Sequence, residues 1–256
     1  MQDISATSTA GAVSAASFPT RPFLGIDFAL APPEAWRDFL LTPSRGDRFD
    51  YLVTPNVDHV VQLSKRPALG PVYAEAGWHL CDSRILEKLA RPRGLALQAY
   101  PGADIVADLL ADPRSRKLRI AIVGPDAADF ARLQQVLPGH DFLHVPAPMM
   151  QPGDAGWEQT LQAAEAVRVD LYFLCLSFPK QEIFAHDLKR RGRARGVALC
   201  VGAGIDFLTG HQKRAPQIWR RLSLEWLYRL LSQPRRLWKR YLVDGPRIFW
   251  LYLTLR

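Results

Sequence analysis

Several places in this chain combine chemically capable residues with a position just after a short apolar run: Thr54–Asn56, Asp82, Gly124, Ser177–Gln181 and Gly202–Asp206. Asp82 is a carboxylate at the mouth of a helix-like stretch. It suits proton abstraction as a general base and suits capping that helix equally well. Thr54 and Asn56 offer a hydroxyl and an amide for hydrogen bonds to a polyhydroxylated ligand, although Asn56 also directly precedes a helical run and reads as a cap. Gly202-Ala203-Gly204 leaves backbone bare for a ligand to approach, and Gly124 does the same more weakly, since glycines commonly end strands. Lys180 and Glu182 read as a solvated helical face. No two aspartates are separated by one residue, so a metal-holding Asp-x-Asp pair is absent. Charge on an anionic leaving group would then be met by Lys, Arg or helix N-termini.

Other chemistries find little support. Cys81, Cys175 and Cys200 are too few and too far apart for a disulfide framework or a zinc site. The latter two fall in apolar runs, as inert core thiols do, and this usage suits a reducing compartment. The six histidines show no metal-ligand spacing. Neither a Gly-x-Gly-x-x-Gly nor a P-loop pattern occurs, against a dinucleotide oxidoreductase or an NTPase. No metal and no cofactor is expected.

The elements that must position these residues alternate. Apolar runs at Asp50–Thr54, Trp78–Cys81, Leu118–Val123, Phe142–Val145, Leu171–Leu176 and Val197–Val201 read as strands. Helical segments fall between them, at Val57–Lys65, Ala103–Leu110, Ala127–Val136, Glu158–Val167 and from Pro179 onward. This predicts an α/β fold: a Rossmann-like parallel sheet with helices on both faces, its ligands bound beyond the carboxyl ends of the strands. Residues 1–22, rich in Ala, Ser and Thr, are expected to be a disordered tail without the marks of a secretory signal. Residues 23–210 are expected to be the catalytic domain.

Residues 211–256 form a different kind of segment. They hold 11 Lys/Arg against 2 Asp/Glu, a net +9, so the other 210 residues sum to −1 of the chain's +8. Trp219, Leu222, Trp226 and Leu230 recur at helical spacing, Arg220, Arg221 and Arg229 face elsewhere, and Pro234 ends that helix. The closing IFWLYLTL run is apolar, yet no stretch is long enough to span a bilayer. The segment reads as an amphipathic helical appendage lying on an anionic membrane surface. Its arginines Arg214, Arg235, Arg236 and Arg240 are candidates to meet either that surface or a diphosphate. Trp and Tyr interleaved with Arg would also suit nucleic acid, but the apolar face fits lipid better, and no nucleic-acid partner is expected.

FPKQE (178–182), VGAGIDFLTG (201–210), KRAP (213–216) and LEWLYRLLSQPRRLWKRYL (224–242) resemble the WecG/TagA/CpsF glycosyltransferases in order and spacing. TPN (54–56) resembles the family's Thr-x-Asn, and Cys81-Asp82-Ser83 stands where the family has Asp-Gly. The resemblance implies an inverting transfer from a UDP-sugar to a polyprenyl-diphosphate-linked saccharide, in cell-surface polysaccharide synthesis at the cytoplasmic face of the membrane. It implies Asp82 as the catalytic base, Thr54 and Asn56 against the sugars, and Gln181 and Asp206 in the nucleotide pocket with Gly124, Gly202 and Gly204. Two departures stand out: Ala99 replaces the family's arginine three residues before Gly102-Ala103-Asp104, and CLSFPKQE lacks the family's glycines. The lost arginine also admits a catalytically impaired, membrane-associated member.

Overall fold

Strand residues in this chain alternate between two apolar cores, which is what a run hydrophobic at every position produces when a sheet is covered on both sides. A computed structural model describes residues 18–42, 48–210, 215, 216, 218, 219, 222 and 224–255. Six strands form one parallel sheet: β3 (Phe49–Val53), β4 (Trp78–His79), β5 (Arg119–Gly124), β6 (Asp141–Pro146), β7 (Leu171–Leu174) and β8 (Gly196–Cys200). Their order is β4-β3-β8-β7-β5-β6. Tyr51, Val53, Val123, Tyr172, Leu174 and Cys200 face one core, while Leu52, Ile120, Ile122, Phe173 and Leu199 face the other.

The first core is closed by α2 (Val57–Lys65), α4 (Arg84–Ala90), α7 (Ala155–Ala166) and α8 (Lys180–Arg191). The second is closed by α1 (Pro33–Leu41), α5 (Gly102–Ala111) and α6 (Ala127–Val136). Local chemistry starts these helices where they are needed. Asn56 Oδ1 accepts from the Asp58 and His59 amides, Ser83 from Leu86, Asp126 from Asp129 and Asp154 from Trp157, satisfying donors a helix cannot satisfy itself. A short helix α3 (Gly70–Ala74) precedes β4.

An antiparallel hairpin, β1 (Thr20–Phe23) and β2 (Ile26–Ala29), begins inside the stretch expected to be a tail. Phe23, Ile26 and Phe28 of this hairpin are buried in the first core.

Among its described residues the basic segment holds α9 (Glu225–Ser232), α10 (Pro234–Trp238), a π-helical turn over Lys239–Asp244, and α11 (Arg247–Thr254). Pro234 opens a helix there as well as following one, as proline in a first turn does. The IFWLYLTL run divides: Ile248 and Leu251 are buried in the main core, while Phe249, Trp250 and Leu253 are exposed. Tyr252 sits under the Arg93 guanidinium at 4.3 Å and beside Phe23 at 6.4 Å. The end of the appendage is thus part of the domain's core. Among the described residues no helix is long and apolar enough to cross a membrane.

At the end of β5, Gly124 has φ +128, and a Cβ there would stand 2.9 Å from the Cys175 carbonyl oxygen. Its glycine requirement is therefore packing between adjacent strand ends. Gly124→Ala is expected to destabilise the fold by roughly 2 kcal/mol or more, read as a lowered urea midpoint at unchanged slope.

Candidate active site

Because the sheet is parallel, the loops after β3, β4, β5, β7 and β8 all emerge at one edge, and the residues singled out above collect there. The Asp82 amide donates to the Pro55 carbonyl at 2.9 Å, so the β4 loop lies against Thr54-Pro55-Asn56. Ser83, not Asp82, caps α4, which leaves the Asp82 carboxyl free for other work. The Asn56 side chain favours the ionised form of that carboxyl while its Oδ1 caps α2. Cap and site residue are the same amide.

Charges from the appendage converge on Asp82. Burial raises its carboxyl to about 7; Arg229 pulls against that, Glu225 adds to it, and the Asn56 side chain and Arg240 pull it down. Arg229 is held by Glu225 at 2.9 Å and stands over the Phe207 ring at 5.6 Å. Arg240 reaches Asp58 of α2 through Nε at 3.3 Å. A partly buried carboxyl at a strand end, titrating near neutrality beside two guanidinium groups, is an arrangement for moving a proton next to a negatively charged group.

Other candidates serve as frame. The Thr54 hydroxyl is buried and donates to the Cys200 carbonyl at 2.9 Å, tying β3 to β8, so only its lone pairs remain for a ligand. Gln181 is buried: its Oε1 accepts from the Gly202 amide at 2.8 Å and its Nε2 donates to Glu182 at 2.8 Å. It fixes the turn after β8, where Gly202 has φ +52. Gly204 is buried where a Cβ would press on Val106 of α5 at 3.2 Å. Asp206, half-buried, follows that turn with its amide on the Ala203 carbonyl. Arg235 and Arg236 are exposed on α10, the latter on Gln233 at 3.2 Å. Arg214 lies outside the described residues.

Two readings need correction. Glu182 is not on a solvated face: it is fully buried, burial pushes its carboxyl to about 7, and its Oε2 has no partner. Lys180 is half-buried and donates to the Met150 carbonyl at 2.7 Å. Arg229 is not among the residues the motifs single out, because it lies off the apolar face of its helix; its sequence mark is the spacing of four from Glu225, which pairs with it.

Beside this edge, where α4 and α5 begin, a cavity of about 350 Å³ is lined by Arg84, Glu87, Gln98, Ala99, Tyr100 and Asp104 among others. Ala99, in the place of the family's arginine, donates its amide to Glu87. Among the described residues no group of three or more His, Cys, Asp or Glu is arranged to hold a metal ion.

The model of the glycosyl transferase WecG/TagA/CpsF family matches residues 21–256. A similar protein is the N-acetylglucosaminyldiphosphoundecaprenol N-acetyl-beta-D-mannosaminyltransferase of Bacillus spizizenii (strain ATCC 23059 / NRRL B-14472 / W23). It is 28% identical over 200 residues, covering 75% of this chain and 74% of that protein.

The electrostatics around Asp82 can be measured directly. Its carboxyl is expected to titrate near pH 7 by carboxyl-carbon NMR. Removing the guanidinium in Arg229→Gln raises the midpoint and removing the carboxylate in Glu225→Gln lowers it. A midpoint near 4 in the intact protein would mean that the carboxyl is solvated and the appendage does not cover it.

Proposed function

The chain belongs to the WecG/TagA/CpsF family of glycosyl transferases, and from that premise we propose that it is an inverting transferase moving a sugar from a UDP-sugar to a polyprenyl-diphosphate-linked saccharide. One observation carries the reading: the buried Asp82 carboxyl, in the loop held against Pro55 at the carboxyl edge of the sheet, feels the charge of two appendage arginines, Arg229 and Arg240. Asp82 takes the proton from the acceptor hydroxyl as its oxygen bonds to the anomeric carbon. The bond from that carbon to the β-phosphate oxygen breaks, and the guanidinium groups of Arg229 and Arg240 take up the charge on the departing nucleoside diphosphate. In-line attack opposite the leaving group inverts the anomeric centre. With the countercharge supplied by arginine and no Asp-x-Asp pair in the sequence, the reaction proceeds without a metal. The relative's printed activity, on a diphosphoundecaprenol-linked saccharide, supports a lipid-linked acceptor. Asn56, with the Thr54 lone pairs, faces the sugars, and the turn Gly202–Asp206 fixed by Gln181 faces the nucleotide.

The acceptor chemistry gives the appendage a second task. Its exposed apolar residues Trp238, Leu242, Phe249, Trp250 and Leu253 accompany Arg235, Arg236, Lys239 and Arg247 on the segment that covers the cleft. This reading puts the protein on the cytoplasmic face of the membrane as a peripheral protein, attracted at about 1 kcal/mol per cation near anionic lipid.

Incubation with a panel of UDP-sugars and a diphosphoundecaprenol-linked acceptor is expected to yield a lengthened lipid-linked product, with turnover unchanged by EDTA. The rate falls as pH drops below about 7, where Asp82 is protonated. Asp82→Asn should lose roughly 10²–10⁴-fold in rate while still binding UDP; an active variant would remove Asp82 from the mechanism.

A triple variant, Phe249→Ser, Trp250→Ser and Leu253→Ser, spares the buried Ile248 and Leu251. It is expected to stay folded and to lose most co-sedimentation with anionic vesicles. Unchanged co-sedimentation would refute the membrane role of this face.

A further inference from the structure

The arginine that approaches Asp82 from the π-helical turn is held from the other side by a carboxylate that no motif singles out. Asp58, the second residue of α2, is largely buried, with 14% of its side chain exposed against 35% for Arg240, and the two form an ion pair with Oδ2 3.3 Å from Nε, without a hydrogen bond at Nε. Among the described residues the two terminal amines of Arg240 donate no hydrogen bond, so the end of the guanidinium suited to grip two oxygens at once is open.

Asp58 is also tied to the reacting centre. Its amide donates to Asn56 Oδ1 at 3.0 Å, and the Asp82 amide donates to the carbonyl of the preceding Pro55 at 2.9 Å. Asn56 and the carboxylate beside Arg240 therefore share the first turn of α2, and the loop that carries Asp82 is hydrogen-bonded to the residue between Thr54 and Asn56.

A second ion pair sets the register of this contact. Lys65, seven residues and two helical turns along α2, pairs with Asp244 at the other end of the same π-helical turn. The signs are opposite in the two pairs: α2 offers an anion to Arg240 and a cation to Asp244. Reversing the direction of the turn on α2 would face like charges at both positions, so the pattern selects one docking. A carboxylate in the first turn of a helix is favourable on its own account, but that role requires no arginine at Asp58 and no matched pair at Lys65.

We infer that Asp58 is a positioning residue of the transfer site, its carboxylate holding the Arg240 guanidinium by charge so that the two free terminal amines of Arg240 meet the diphosphate of the donor. This rests on the donor reading proposed above. Arg240 is the residue that touches the ligand; Asp58 acts through it.

The test compares two probes that differ only in the diphosphate, UDP and uridine, titrated calorimetrically into the full-length protein and its variants. Asp58→Asn keeps the shape and removes the charge. It is expected to weaken UDP about tenfold, the worth of one hydrogen bond to a charged group, and to leave uridine unchanged. Arg240→Ala should behave alike, and the double variant should be no worse than Arg240→Ala alone, because the two residues act as one unit. Equal loss of UDP and uridine in Asp58→Asn would make Asp58 merely structural and overturn the inference. If Arg240→Ala weakens UDP and Asp58→Asn does not, positioning by Asp58 is refuted while the diphosphate role of Arg240 stands. If neither variant weakens UDP, Arg240 does not meet the diphosphate and the inference falls. A wild-type protein that binds none of UDP, GDP, ADP and dTDP removes the donor reading itself, and the inference with it. Should Asp58→Asn fail to fold, Asp58→Glu replaces it: the displaced charge is expected to weaken UDP alone, and unchanged UDP binding refutes the inference.

Discussion

The site depends on how one carboxyl is desolvated. Asp82 has two guanidinium groups and an amide near it, each of which favours the ionised form, yet its pKa stands at about 7 because loss of water outweighs them. Burying a carboxylate among arginines alone would hold it permanently ionised and poorly basic. Burying it in an apolar pocket alone would hold it permanently protonated. Glu225, which brings Arg229 near and adds a repelling charge of its own, keeps the balance between those limits. On the proposed reading the appendage supplies the countercharge, so Asp82 would reach this balance only with the appendage in place.

That dependence gives the sheet edge its rigidity requirements. Gln181 and Glu182 open α8 as a buried pair. One spends both ends of its amide on the Gly202 turn and on its neighbour; the other leaves an oxygen without a partner in the core. Thr54 joins β3 to β8 across the same edge. These are polar groups placed where an apolar core would otherwise close, and through Gln181 and Thr54 their hydrogen bonds reach the backbone at Gly202 and Cys200, so they fix loop geometry.

Much of this architecture is legible in the sequence for a simple reason. Strands buried on both faces are apolar at every position, and six such runs at Leu118–Val123 and its counterparts announce a covered parallel sheet; the sheet then dictates that Asp82, Asn56 and Gly202 share an edge. What escapes is what depends on tertiary contact. The hairpin at residues 20–29 has no strong alternation, and its place comes from Phe23 and Phe28 finding the core. Glu182 reads as a surface residue because its type almost always is one. Arg229 and Asp58 look like ordinary solvated charges until the appendage folds back over α2. The expected division at residue 210 follows composition, whereas Ile248 and Leu251 cross it to pack in the main core.

This last contact changes what the appendage is. A basic amphipathic segment joined only by a linker would sample the cleft and the membrane independently, and each event would carry its own ordering cost. Here α11 is anchored by Ile248, Leu251 and Tyr252, and the π-helical turn is registered on α2 by Arg240 and Asp244. The entropy of ordering the segment is met by core burial before any ligand arrives. The outward residues Trp250 and Leu253 are then held on the helix whose inward residues join the core. On the proposed reading such a surface would dock with its cleft already assembled, and a lipid-borne acceptor would meet Asp82 and two arginines that are preorganised.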